Sequence, residues 1–196
     1  MLVITSTTTL VPDNPAAAYA AYRQAASAVF LAGTQGLKYK KDHYDLAVDL
    51  SKAGLTYIDE RADEIVIGAM TPLWQIKISQ AIQNFAGGAI SKAISDVADK
   101  NIPRYGTLGG VISSKAPFSV LLPILLSLHV DVQLQDKGCM SLDDYLHCPP
   151  MGELVTGISI AKEAVYTAYK AYRKLPVDEP YLVGAVAMRD DSWRIV

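Results

Sequence analysis

Three glycines fall within five residues in Arg104-Tyr105-Gly106-Thr107-Leu108-Gly109-Gly110, and the apolar segment Ser119–Leu128 follows. A backbone this bare can turn where side chains would forbid it, including at φ > 0, and it leaves several N–H groups unobstructed. Thr107 adds a hydroxyl, and the element that follows can aim a helix N-terminus at the same point. Such a bend is a seat for a pyrophosphate. The same pattern also suits a tight turn between two packed elements.

The rest of the composition narrows the setting. A chain of 196 residues, 51% apolar and 19% charged, is that of a globular protein of one domain, or one and a fragment of another. A net charge of −2 carries no nucleic-acid footprint. The longest apolar stretch, Phe118 to Val130, is interrupted by Ser119, Pro123, Ser127 and His129. It falls short of the roughly 20 residues a membrane span needs and reads as a buried core helix. Met1–Ser6 has no basic region of the signal-peptide kind, so a cytoplasmic protein is expected. Cys139 and Cys148 fit no zinc spacing and are too few for an iron–sulfur cluster. They read as free thiols in a reducing compartment, with a disulfide as the alternative.

Along the chain, Asn14-Pro15 starts a helix expected over Pro15–Ser27. Val29–Ala32 is a short strand that turns out through Gly33-Thr34-Gln35-Gly36. Lys38, Lys40 and Lys41 form a basic cluster suited to a solvated edge or to a ligand. Asp45–Val48 is a second strand, and Gly54–Asp59 with Glu64–Gly68 make a hairpin. Thr71 is placed to cap a helix over Pro72–Ile76. Apolar residues from Ile82 to Val97 repeat at helical spacing, predicting one continuous helix. The Gly87-Gly88 pair inside it points to a close contact with another backbone. A helix over Ser119–Leu128, a strand at Val130–Leu134 and a helix at Ser141–Leu146 follow. Strands at Leu154–Ile160, Ala164–Ala171, Tyr181–Met188 and Trp193–Val196 complete the chain. Arg173–Pro180, with its two prolines, is the best candidate boundary. An ending inside an apolar strand suggests a truncated subdomain.

Taken in order, Leu31–Leu37, Asp49-Leu50-Ser51, Gly54–Ile58, Ile67–Thr71, Arg104–Gly110, Leu122–Leu126 and Asp143–Leu146 resemble a known family. It is the FAD-binding medium subunit of molybdenum hydroxylases, the xanthine dehydrogenase and carbon monoxide dehydrogenase group. The bacterial flavin subunits of selenate reductase and xanthine dehydrogenase-like enzymes look most similar. The resemblance runs from about residue 10 to residue 185 and implies an α+β, FAD-binding type-2 fold. A small N-terminal α/β subdomain (1–52) would precede a larger antiparallel-sheet subdomain (53–175), with 176–196 opening a C-terminal one. It implies that two glycine loops grip the ADP part of FAD: Ala32, Gly33, Thr34, Gln35 and Gly36, then Thr107, Leu108, Gly109 and Gly110. It brings Ala98 alongside the cofactor, Leu154 near its ring system and Lys170 within reach. The implied partners are a large subunit with a molybdenum cofactor and a small one with two-iron, two-sulfur clusters. NAD or another acceptor would take the electrons.

The chain departs from that family in three places. Thr34 follows Gly33 where a second glycine is usual, Val111 stands in place of an asparagine, and Val120 in place of an aspartate. Each lost hydrogen-bond partner is worth roughly 0.5–1.5 kcal/mol. Two or three together weaken FAD about tenfold to a thousandfold. A structural or assembly subunit that has lost the flavin is therefore the alternative. Ser113 and Ser114 are candidates to replace the missing contacts. A free-standing nucleotide-binding domain ranks last, since neither loop has P-loop or Gly-x-Gly-x-x-Gly spacing. His43, His129 and His147 show no ligand spacing. Asp143-Asp144 after Ser141 reads as a capped helix start. Tyr166, Tyr169 and Tyr172 suit core and interface packing, or stacking on a flavin.

Overall fold

Asn14 starts the first helix through its side chain, which accepts a hydrogen bond from Ala17 N at 2.8 Å. In the computed structural model, which describes residues 5–37, 42–99, 101–115, 119–175 and 178–196, this helix, α1, spans Pro15–Gln24. It ends three positions before the expected Ser27. It packs on a three-stranded parallel sheet of β1 (Thr5–Leu10), β2 (Ala28–Leu31) and β3 (His43–Asp49), in the order β1-β3-β2. Tyr22 of α1 stacks on Phe30 of β2 at 4.2 Å between ring centres. Ala18, Val48, Leu50, Ala53, Leu55 and Leu154 close this small core. Strand β1 was not expected. Thr-Ser-Thr-Thr-Thr-Leu has no apolar alternation, and β3 recruits it through a parallel ladder that leaves its side chains largely in solvent.

A five-stranded antiparallel sheet forms the centre of the molecule: β4 (Ile58–Glu60), β5 (Glu64–Gly68), β6 (Val130–Leu134), β7 (Gly138–Ser141) and β8 (Val155–Ala161), in the order β4-β5-β8-β6-β7. The hairpin β4–β5 is formed as expected, with Glu60 opposite Ile65. Helices α2 (Leu73–Ile78), α3 (Gln80–Asn84), α4 (Ala89–Ser95), α5 (Asn101–Tyr105), α6 (Leu108–Ser114), α7 (Leu122–Ser127) and α8 (Leu142–His147) surround it. Ile65, Ile67, Ile158 and Ile160 of the sheet and Ile76, Ile82, Ile90 and Ile94 of the helices share one core, all nearly sealed from solvent. Ser141 caps α8 by accepting from Asp144 N at 3.0 Å, which accounts for the Asp143-Asp144 pair.

Three local expectations change. Thr71 is no helix cap: its hydroxyl donates to Tyr57 O at 2.9 Å and accepts from Tyr57 N at 3.1 Å, completely buried. The helix expected over residues 82–97 is broken, because Ala86, Gly87 and Gly88 have φ of 47°, 58° and 70°. The glycine pair therefore serves a left-handed break, and a Cβ on Gly87 would meet nothing within 4 Å. The glycine-rich stretch 106–110 is largely helical, with Leu108–Gly110 forming the first turn of α6.

The third sheet runs β11-β10-β9, built from β9 (Tyr166–Tyr172), β10 (Leu182–Arg189) and β11 (Ser192–Ile195). Tyr172 pairs with Leu182, so the candidate boundary Arg173–Pro180 lies in the connection of a hairpin. Ala185 and Ala187 of β10 are buried in the main core, and β10 packs on α7.

Candidate functional site

The two glycine bends are 70 residues apart in the chain and meet in space. A Cβ placed on Gly33 would lie 2.0 Å from Tyr105 O and 3.0 Å from Gly106 Cα. Only glycine permits this approach of one main chain to another, and it fixes the first bend against the end of α5. Gly36 faces α6 more loosely, with its virtual Cβ 3.8 Å from Ser114 Cβ. Strand β2 delivers the first bend from the parallel sheet. The break after α5 delivers the second from the helical layer.

The bends differ in what they offer a ligand. In the first, the amides of Gly33, Thr34 and Gly36 donate to no described residue, and only Leu37 N closes a turn onto Thr34 O at 3.1 Å. Gln35 Nε2 reaches back to Gly33 O at 3.3 Å and braces the loop. In the second bend the first-turn amides of α6 are already engaged. Leu108 N donates to Thr71 O at 3.1 Å, Gly109 N to Ala69 O at 2.8 Å and Gly110 N to Thr107 Oγ1 at 3.2 Å. Gly109 is glycine because its virtual Cβ would stand 2.8 Å from Ala69 Cβ. The expectation of bare amides at both bends is thus corrected for Leu108, Gly109 and Gly110: the first two donate to backbone partners on the Ala69–Thr71 segment that spacing does not reveal, and the third to the Thr107 hydroxyl. The first bend remains a donor set suited to a diphosphate.

Thr34 stands out within it. Its φ is 56°, in the left-handed region, and it is the β-branched member of the five described non-glycine residues with positive φ. Such a conformation costs an L-residue about 1–2 kcal/mol. The substitution of threonine for the family's second glycine therefore falls where glycine would sit without strain.

The remaining candidates are spread out. Ala98, half-buried, lies between α4 and α5, on the segment that leads to Gly106. Leu154 is 3% exposed, and its side chain is spent on the small core beside Ala18 and Val48. Lys170 is exposed on β9, its amine 5.9 Å from the Tyr172 ring centre. It shares a surface groove with Asp96, Tyr169 and Arg173, which none of the glycine-bend residues lines. The strand alternation turns Tyr166 and Tyr172 to solvent and Tyr169 inward toward α4. Burial, reinforced by the nearby Asp96 carboxylate, pushes the Tyr169 phenol far above its ordinary range. Val111 packs on the main core, and Val120 is buried. Ser114 Oγ already donates to Val111 O at 3.1 Å. The lysines at 38, 40 and 41 lie outside the described residues.

Among the described residues no constellation of protein acids, bases or metal ligands accompanies the bends. Each histidine has a partner: His43 meets Thr5 Oγ1 at 2.9 Å, His129 meets Glu163 at 3.1 Å, and His147 meets Asp143 O at 2.9 Å. Among the described residues no group of three or more His, Cys, Asp or Glu side chains could hold a metal ion. Cys139 and Cys148 are free and exposed, so the disulfide alternative is not formed. No described helix is long and apolar enough to cross a membrane.

Comparison with known proteins agrees with this architecture. Residues 5–162 match the FAD binding domain in molybdopterin dehydrogenase. The uncharacterized protein YgfM of Escherichia coli strain K12 is 29% identical over 171 residues, covering 86% of this chain and 64% of YgfM. The chain thus spans less than two thirds of that relative's length. Among solved structures, the fold is similar to carbon monoxide dehydrogenase from Hydrogenophaga pseudoflava in a form lacking the Mo-pyranopterin moiety of its molybdenum cofactor. The TM-score is 0.85 at 22% identity, covering 95% of this chain and 72% of that one. Quinoline 2-oxidoreductase from Pseudomonas putida 86 gives a TM-score of 0.84 at 18% identity, covering 100% and 73%. At these identities the likeness to the solved structures is one of fold.

Proposed function

The chain belongs to the family of FAD-binding domains in molybdopterin dehydrogenases, and from that premise we propose that it carries the flavin of a multi-subunit molybdenum hydroxylase. The observation that supports this is the first bend: a loop with uncommitted amides at Gly33, Thr34 and Gly36, wedged against Tyr105–Gly106 by a glycine that tolerates no Cβ. FAD, when bound, supplies the electron-transfer chemistry of its isoalloxazine ring. The chain's own residues hold and orient it. Gly33, Thr34 and Gly36 donate main-chain N–H groups to the diphosphate, and the exposed Gly110 leaves the mouth of the second bend open to it. In this reading Ala98 lies alongside the cofactor and the exposed Lys170 contributes positive charge.

In this reading a large partner holds the molybdenum cofactor and a small partner holds two-iron, two-sulfur clusters. Two exposed cysteines cannot ligate such a cluster here, so its ligands belong to the partner. NAD or another carrier accepts the electrons, and xanthine dehydrogenase or selenate reductase-like enzymes are the functional template. The test is a visible spectrum of the purified chain with a titration of FAD fluorescence. One equivalent of quenched, tightly held flavin is expected. A colourless protein that takes up no added FAD ends the proposal.

A second reading is favoured by a specific observation. Leu108, Gly109 and Gly110 have their amides engaged, and Val111 brings no side-chain amide. The chain would then keep the fold as an assembly subunit without flavin. Val111→Asn discriminates: binding that appears only in the variant favours the assembly reading, and binding already present in the wild type removes it.

A further inference from the structure

The five described non-glycine residues with positive φ all sit at turns or helix breaks. Lys115 ends α6, and its amine donates to Leu146 O at 2.7 Å. Ala86 sits at the helix break, and its carbonyl accepts the Thr167 hydroxyl at 2.7 Å. Asp190 and Asp191 make the turn between β10 and β11. Thr34 also closes a turn, its carbonyl accepting from Leu37 N at 3.1 Å, but nothing in that turn calls for a branched side chain. Its side chain is exposed, its hydroxyl bonds to no described residue, and glycine at φ 56° would be free of strain. A strained, branched side chain kept in an exposed turn where its hydroxyl meets no described residue points to a contact from outside.

The chemistry of that contact follows from the neighbours. The Thr34 hydroxyl lies beside the amides of Gly33, Thr34 and Gly36, which donate to no described residue, while the second bend has engaged the amides of Leu108, Gly109 and Gly110 and lacks an asparagine at Val111. We propose that Thr34 Oγ1–H donates a hydrogen bond to a phosphate oxygen of the flavin nucleotide, standing in for a donor the second bend does not supply. This rests on the reading above that the first bend holds FAD. It adds that a side chain, bonded through its hydroxyl, sets the affinity.

Three variants of the purified chain test it by FAD titration and thermal melting without ligand. Thr34→Val keeps the branched shape and the strain but removes the hydroxyl. It should weaken FAD about ten- to a hundredfold, the range for losing one hydrogen bond to a charged group, while melting with the wild type. Thr34→Ser keeps the hydroxyl and should bind within about threefold of the wild type, since the donor chemistry is the same. Thr34→Gly should melt a few degrees higher and still bind as weakly as the valine variant. A valine variant that binds like the wild type overturns the inference, as does a serine variant that loses as much as valine. If the wild type itself takes up no FAD, the parent reading falls and this one with it, a pattern distinct from either.

Discussion

Replacing Gly33 by alanine tests whether the two bends are locked together. The new methyl carbon would stand 2.0 Å from Tyr105 O, 2.9 Å from Tyr105 C and 3.0 Å from Gly106 Cα. All three are main-chain atoms, so no side chain can rotate away, and the bends must part or α5 must shift. Overfilling a packed site typically costs about 1–3 kcal/mol, and a clash with rigid backbone belongs at the upper end. Alanine also stiffens the unfolded chain, which returns about 0.4–1 kcal/mol. The net loss is about 2 kcal/mol or more, a fall in Tm of about 4–8 °C for a chain of this size. Gly36→Ala is the control, because its Cβ would find an ordinary contact at 3.8 Å. It should change stability by no more than about 0.5 kcal/mol. Thermal melts of the two variants without ligand are the assay. A Gly33→Ala protein that melts with the wild type, or a Gly36→Ala protein that suffers equally, refutes the claim that main-chain contact joins the bends.

Two further outcomes are expected from the same structure. Thr71→Ala removes a buried hydroxyl that satisfies both Tyr57 O and Tyr57 N. It should cost about 1–3 kcal/mol by orphaning Tyr57 N, since Tyr57 O keeps Gly68 N at 3.0 Å, read as a lower denaturation midpoint with unchanged slope. Tyr57, Tyr145 and Tyr169 are each held above the ordinary 10.0, with burial the largest cause in every case. They stay protonated in the folded protein where the unfolded chain ionises, so their contribution is whole below pH 10 and drains away as pH climbs past it. Tyrosinate absorbance should therefore rise in a step that coincides with alkaline unfolding. A smooth titration of every tyrosine at its ordinary value, ahead of unfolding, would contradict this.

The strands with apolar alternation were legible, and the hairpin β4–β5 and the capped helix α8 formed where their turn and capping residues put them. What escaped had no local signal. Strand β1 is polar but for its last residue, Leu10, and exists because β3 offers a ladder. The Gly87-Gly88 pair carries two meanings in a sequence, close contact or left-handed backbone, and both apply: each has positive φ, and a Cβ on Gly88 would stand 3.2 Å from Gln83 O. Helix α6 hides behind Gly109-Gly110, which a propensity argument reads as loop; Gly109 is there to pass Ala69. At the candidate site the order of motifs identified both bends. It could not tell which bend keeps its donors, since that depends on acceptors at Ala69 and Thr71, nearly forty residues away along the chain.

The place of Leu154 has a consequence for how the chain matures. Its side chain fills out an interior otherwise built from Ala18, Val48, Leu50, Ala53 and Leu55, and beside it Glu153 receives the Tyr19 hydroxyl at 2.9 Å. A nascent chain emerging amino end first cannot seal that interior when its parallel strands leave the ribosome. It must wait until residue 154 has followed, holding apolar surface open until then. A layer whose strands are made early is thus finished late.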